Sequence, residues 1–250
     1  MGNKGNHLHF PPLMLPRIDA YYVFIHIYYP ILPPPERLPV TNRPLNVKSP
    51  FQPTSPLSLA MAALLVLIPR PDVKQTSEAE YTKLRRDLAQ SFAQSALDAV
   101  EQDLELLDSS SDPSKALSEG APQLTRPPLH SKVPISLEAV LALVLLSTYE
   151  YAQRGNIRKL CNRAGQALTA AMSVSLHEMV EEDEFSEARK RAWWMTVCFL
   201  NFSSVMLLFS GVSSTVVLTG FKYITVCQGS IVSGVVCISI PCISKNTHSL

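Results

Sequence analysis

Two runs of apolar residues at helical spacing, joined at a single glycine, constrain this chain more than any other feature. In the first run Leu137, Val140, Leu141, Val144, Leu145, Thr148 and Tyr151 recur at intervals of three and four. In the second, Ile157, Leu160, Cys161, Ala164, Leu168, Ala171, Ser175 and Leu176 keep close to the same rhythm. A period of 3.6 sustained through both predicts two amphipathic helices that bury their stripes against each other. Gly155 lies between them, where a residue in the left-handed conformation closes a helix. A third helix follows with Glu187, Arg189, Lys190, Arg191, Trp193 and Trp194. Both tryptophans are expected as core anchors rather than a base-stacking platform. The pattern describes a scaffold and contains no reactive group.

More helical signals lie upstream. Residues 56–68 form a nearly unbroken apolar run, too short to span a bilayer and suited to a buried core helix over 57–68 that Pro69 and Pro71 end. Ser77-Glu78-Ala79-Glu80 reads as a capping box opening a long helix to Leu107. Its stripe is Tyr81, Leu84, Leu88, Phe92, Ala96, Ala99 and Leu107. The aromatic run with Tyr21, Tyr22, Phe24, Tyr28 and Tyr29 suggests a short buried helix stopped by Pro30. The chain has 20 prolines against 9 glycines, and they cluster where the helical patterns stop, which predicts loops at 33–56 and 109–134. Residues 1–16 are polar, then proline-rich, and are expected to be disordered. The fold class is therefore all-α: a packed multi-helix domain over 17–196, with an irregular apolar tail over 197–250.

Bulk charge does little to suggest a partner. The net charge of +1 favours neither nucleic acid nor an acidic membrane surface. The five cysteines are odd in number and form no C-x-x-C pair, which argues against a disulfide framework and a structural zinc site. Cys161, on an apolar helix face, is read as a small hydrophobe, in keeping with a reducing intracellular compartment. No apolar run follows Lys4 closely, so no secretory signal is expected. Met1-Gly2 resembles a myristoylation start, but Asn6 stands where Ser or Thr is wanted.

Catalytic constellations are absent from the sequence. His177-Glu178-Met179-Val180-Glu181 gives H-E-x-x-E, which lacks the second imidazole one turn on that a metallohydrolase helix needs. There is no glycine-rich phosphate loop and no G-x-S-x-G nucleophile elbow. His26 is read as a satisfied core histidine rather than a ligand. The acids over Glu178–Glu187 and the bases Arg189–Arg191 are read as a solvated turn and a helix start. No catalytic, cofactor-binding or metal-binding residue is assigned, and an enzyme is not expected.

Several segments, taken in order, resemble one family. They are residues 18–33, 57–72, the helix after Ser77, and most strongly 145–178 and 187–196. The set resembles the fungal-specific transcription factor regulatory domain, or middle homology region, found C-terminal to a zinc binuclear-cluster DNA-binding motif. The resemblance covers residues 18–196 and implies an all-α regulatory domain of a nuclear, sequence-specific transcription regulator, with no catalytic residues. It implies DNA as a partner through a zinc cluster, with protein partners, a small-molecule effector and a second copy of the chain as further candidates. The six closely spaced cysteines of that cluster are missing, and residues 1–17 are too short to hold them. The sequence is accordingly read as a fragment without cofactor, the zinc belonging to the missing head.

The tail departs from the family pattern. Residues 226–234 resemble a segment that, in the family, follows the double-Trp helix directly; here 197–225 interrupt, and 235–250 leave the pattern. Val197–Phe221 carries no charge in 25 residues. By length it suits a transmembrane helix flanked by Arg189–Arg191, although its polar residues and glycines weigh against one. A long buried helix is a second reading. The third, motivated by the bias to Phe, Leu, Val, Ser and Thr with almost no charge, is that residues near Cys198–Thr225, together with 235–250, are translated intron sequence. The spanning segment at 197–221 gives the alternative function of a membrane-associated protein.

Overall fold

The computed structural model describes residues 20–35, 53–69, 78–110, 124–178 and 183–209. After a single π-helical turn at Tyr21–Ile25 come five α-helices among these residues: α1 (Pro56–Leu65), α2 (Glu78–Ser110), α3 (Ile135–Ala152), α4 (Ile157–Ser173) and α5 (Ser186–Phe209). There is no strand among the described residues, and the chain is all-α as its periodicity predicts.

Helix α3 is the centre. It packs against α1, α2, α4 and α5. Every residue from Leu137 to Ser147 is buried, so the helix has no solvent face over nearly three turns. This corrects the expected stripe: α3 is apolar all round because it is enclosed by neighbours, whereas a surface helix buries one side only. Tyr151, at the exposed end of the stripe, is partly in solvent. The hydroxyl of Ser147 donates to the Leu143 carbonyl at 2.9 Å, which satisfies it within the helix. Helix α4 does behave as an amphipathic helix, burying Leu160, Ala164, Ala167, Ala170 and Ala171 on one side.

Gly155 makes the turn between them as expected, with φ of +61°. Its N–H donates to the Tyr151 carbonyl, and the Asn156 N–H donates to that of Glu150. The Asn156 side chain then caps α4 by accepting from the Lys159 N–H at 3.0 Å. At the far end of α4 a Schellman motif forms: the Leu176 N–H donates to Ala171 O and the Ser175 N–H to Met172 O. Ser175 takes the left-handed position, φ 52°, where glycine is the usual residue.

The apolar run at 57–68 becomes α1, in which nine of ten residues are buried. Ser55 and Ser58 cap each other's backbone and Pro56 fills the first turn, a start signal the sequence reading did not pick out. Ser77, the expected cap of α2, lies outside the described residues. Helix α2 enters the core at Ala89 and buries Phe92, Ala93, Ala96 and Val100, but Leu84 is exposed, against the expected stripe. Within the aromatic run only part is core. Tyr21 and Ile25 are buried, while Phe24, Ile27 and Tyr28 stand in solvent, so a wholly buried helix there is corrected. Trp193 is 5% exposed and Trp194 40%, so only one of the pair anchors the core.

Helix α5 crosses residues 196 and 197 without a break and runs to Phe209. Phe199, Ser203, Ser204 and Leu207 on this extension are buried. Of the 197–221 stretch, 210–221 lie outside the described residues, as do 1–16, most of 33–56, 111–123 and 222–250. Among the described residues only α3 is long and apolar enough to cross a membrane, and it is mostly buried inside the domain.

Candidate functional site

The groups singled out in the sequence do not converge. Among the described residues no group of three or more His, Cys, Asp or Glu is placed to hold a metal. His177 faces the Trp193 ring with centroids 6.2 Å apart and lies 3.6 Å from Glu178, itself solvent-exposed. Glu181 lies outside the described residues. His26 is far from His177 in sequence and sits in an aromatic nest with Tyr21 and Tyr22.

That nest is a hydrogen-bond node. The Tyr21 hydroxyl donates to the Tyr29 carbonyl at 2.9 Å and accepts the Leu32 N–H at 3.1 Å. Its one proton is thereby used, so the 3.1 Å contact with His26 Nδ1 requires the imidazole to donate. Burial, and secondarily the charge of Arg191, hold the His26 pKa below its usual value. Burial likewise pushes the Tyr21 phenol well above its ordinary range. One ring nitrogen of the half-buried His26 is thus paired within the protein.

The charged turn before α5 is also internally paired. Asp183 accepts from Arg189 and from the Phe185 N–H, and Lys190 Nζ lies 3.2 Å from Glu187. The Arg189 hydrogen bonds hold the Asp183 carboxyl below the usual range. Cys161 is half-buried, its Sγ 3.6 Å from the Ser203 carbonyl, and burial pushes its thiol up.

A buried ion cluster was missed by the sequence reading. Arg126, in the segment before α3, donates from both Nη atoms to Asp103 of α2 at 2.7 Å each. Its Nη2 also reaches Glu138 of α3 at 3.0 Å, and Glu138 accepts the Leu129 N–H at 2.6 Å. Glu138 is 0% exposed and Asp103 5%, so the cluster locks residues 124–134 over two helices. No local pattern foretells it, because Asp103, Arg126 and Glu138 are distant in sequence.

A cleft opens between two of the helices that cover α3. Helices α2 and α4 both lie on α3 but hardly touch each other. The cleft between them has a volume of about 440 Å³. Leu97, Val100 and Leu104 form one wall, Leu143 is part of the lining, and Arg163, Gly165 and Thr169 come from α4. Gly165 leaves the α4 side open: a Cβ added there would meet nothing within 4 Å. The Arg163 Nη1 donates to Gln166 at 2.8 Å, while its Nε is shielded from solvent and has no acceptor.

Compared with known families, residues 18–207 match the model described as the fungal specific transcription factor domain. No curated protein and no solved structure gave a significant match.

Proposed function

The chain belongs to the fungal specific transcription factor domain family, and we propose that it is the regulatory, non-catalytic part of a sequence-specific transcription regulator acting in the nucleus. Family membership over 18–207 is the observation that carries this reading. A helical scaffold fits it, since regulation of this kind needs a folded surface and no nucleophile or base. DNA recognition is assigned to a zinc cluster outside these 250 residues, and no cofactor is assigned to the chain itself. Protein partners, a small-molecule effector or a second copy of the chain would act on the helical domain.

The test is a reporter assay. Residues 18–209, fused between a heterologous DNA-binding domain and an activation segment, are expected to change reporter output, with or without added inducer, relative to the fusion without them. Unchanged output under both conditions counts against the proposal. The alternative, a membrane protein spanning through 197–221, rests on the chargeless run. The burial of Phe199, Ser203, Ser204 and Leu207 within the domain speaks against it. Full release of the protein from membranes by carbonate washing would eliminate it.

A further inference from the structure

We infer that a second copy of this chain docks on the solvent faces of α2 and α4, the acidic ridge of each copy lying on the basic ridge of the other. Between Arg86 and Lys115 the sequence has acids and neither Lys nor Arg. Between Glu150 and Glu178 it has Arg154, Arg158, Lys159 and Arg163 and no acid. The fold sets these two blocks side by side. Asp98, Glu101 and Glu105 recur at intervals of three and four and are exposed along one face of α2. Arg158 is exposed on α4, and Lys159 and Arg163, four apart, share a side of that helix. Glu101 and Arg163 border one cleft, so the two ridges are neighbours.

Neither ridge is neutralised within its own chain. Among the described residues the side chains of Glu101, Glu105 and Arg158 have no hydrogen bond or ion pair. Arg163 turns to the neutral Gln166, and Lys159 comes no nearer than 3.9 Å to Glu150. Arg158 and Lys159 also stand in the first turn of α4, which holds no acid. The positive end of a helix disfavours cations there, and an opposing carboxylate relieves that repulsion.

The presence of both signs selects the occupant. A nucleic acid or an acidic peptide complements the basic ridge and is repelled by the acidic one, and a basic peptide meets the converse. A partner that matches both carries an acidic and a basic ridge in exchanged order. A copy of this face, turned about a two-fold axis parallel to the ridges, has that order. Each contact is then made twice, as in an isologous dimer. Exposed ion pairs are worth little singly. The pairing also closes over Leu97 and Leu104, which stand half-buried on α2, and so adds apolar burial to the charge match.

The inference deepens the regulatory reading by naming its partner, and rests on that reading only for its consequence, not for the contact. The experiment is sedimentation equilibrium on the full 250-residue chain. A reversible dimer is expected at low ionic strength, weakened about tenfold or more as the screening length falls from about 30 Å to about 3 Å. One variant reverses the acidic ridge, Glu101→Lys with Glu105→Lys; a second reverses the basic ridge, Arg158→Glu with Arg163→Glu. Each alone is expected to be monomeric where the wild type is dimeric. Mixed in equal amounts they form a heterodimer, because the reversed ridges again face opposite charge, and the chain with all four changes pairs with itself. The substitutions lie on solvent faces and leave the circular dichroism spectrum unchanged. A wild-type chain that stays monomeric at low ionic strength overturns the proposal. So does a dimer indifferent to salt, a reversed variant that dimerises as the wild type does, or a mixture that remains monomeric. Should a paired variant fail to fold, Arg158→Glu alone dimerising as tightly as the wild type overturns it. A reporter that stays silent while the dimer forms sinks the regulatory reading and leaves the contact, and a responsive reporter from a monomeric chain does the reverse.

Discussion

Arg126 and Asp103 meet fork to fork, two parallel hydrogen bonds of 2.7 Å joining a loop to a helix that begins 48 residues before it (126 − 78). The same guanidinium balances Glu138, whose place in the first turn of α3 adds the favourable field of a helix N-terminus. Removing the cation leaves two buried carboxylates facing each other. Arg126→Met is therefore expected to destabilise the domain by about 3 kcal/mol, at the low end for a broken buried pair because Arg126 is itself partly exposed. Arg126→Lys should lose less but still measurably, since an ammonium cannot hold two oxygens of Asp103 in parallel. Replacing all three by Met, Leu and Leu should recover much of the loss. Urea midpoints of the variants check the order, and a midpoint for Arg126→Met equal to that of the native chain contradicts it.

Ser175 occupies the left-handed position of the Schellman motif at a φ of 52°. A Cβ there crowds the following carbonyl, a penalty glycine escapes. Glycine also gains freedom in the unfolded chain, which offsets part of the benefit. Ser175→Gly is expected to stabilise by about 0.5–1 kcal/mol, and Ser175→Val, β-branched at positive φ, to destabilise by more than that. Thermal melts of both variants give the answer; a drop in melting temperature for Ser175→Gly would show that the serine hydroxyl, not the backbone, decides the site.

The helices were legible because a 3.6-residue period is a local signal, and α4 could be drawn almost to its ends from it. Which faces are covered was not. Period alone could not tell that α3 is enclosed on every side, because that depends on four neighbours placed elsewhere in the chain. Trp193 and Trp194 look equivalent in sequence, yet successive residues on a helix point about 100° apart, so burial of the first carries the second outward. The Arg126 cluster was invisible because its members come from α2, a loop and α3.

His26 sets a pH dependence whose sign follows from its partners. The imidazole is held below its usual value of about 6.5 by burial and then by Arg191, and its neighbours in the nest, Tyr21 and Tyr22, are neutral. The unfolded chain thus takes up the proton before the folded one does. Stability contributed by the neutral ring is complete above pH 6.5 and is lost as pH falls from there toward the folded value. Urea midpoints should decline between about pH 7 and pH 5.5 more steeply in the native chain than in His26→Gln. Equal slopes would mean that the ring titrates alike in both states.

The last prediction concerns where the domain ends. Tyr29 meets Phe199 with ring centroids 5.2 Å apart, Phe199 meets Phe202 at 6.4 Å, and Phe202 meets Tyr151 edge-on at 5.4 Å. This ladder ties the N-terminal turn and the end of α3 to the part of α5 beyond residue 196. Phe199 is buried, so Phe199→Ala should cost about 3–4 kcal/mol, whereas Phe202→Ala, half-buried, should cost less. Truncation after Thr196 removes the whole ladder partner and is expected to unfold or loosen the domain. Truncation after Phe209 keeps Tyr29, Tyr151, Phe199 and Phe202 together and is expected to melt well above the chain cut after Thr196. A translated intron has no reason to complete a core, so indifference to the loss of 197–209 would support that origin for the segment. Transcript sequencing across the codons for Met195 and Gln228 supplies the independent arm: a mature message that retains the codons for Phe199 and Phe202 agrees with a folded role for them, and one that lacks them returns α5 to a shorter helix.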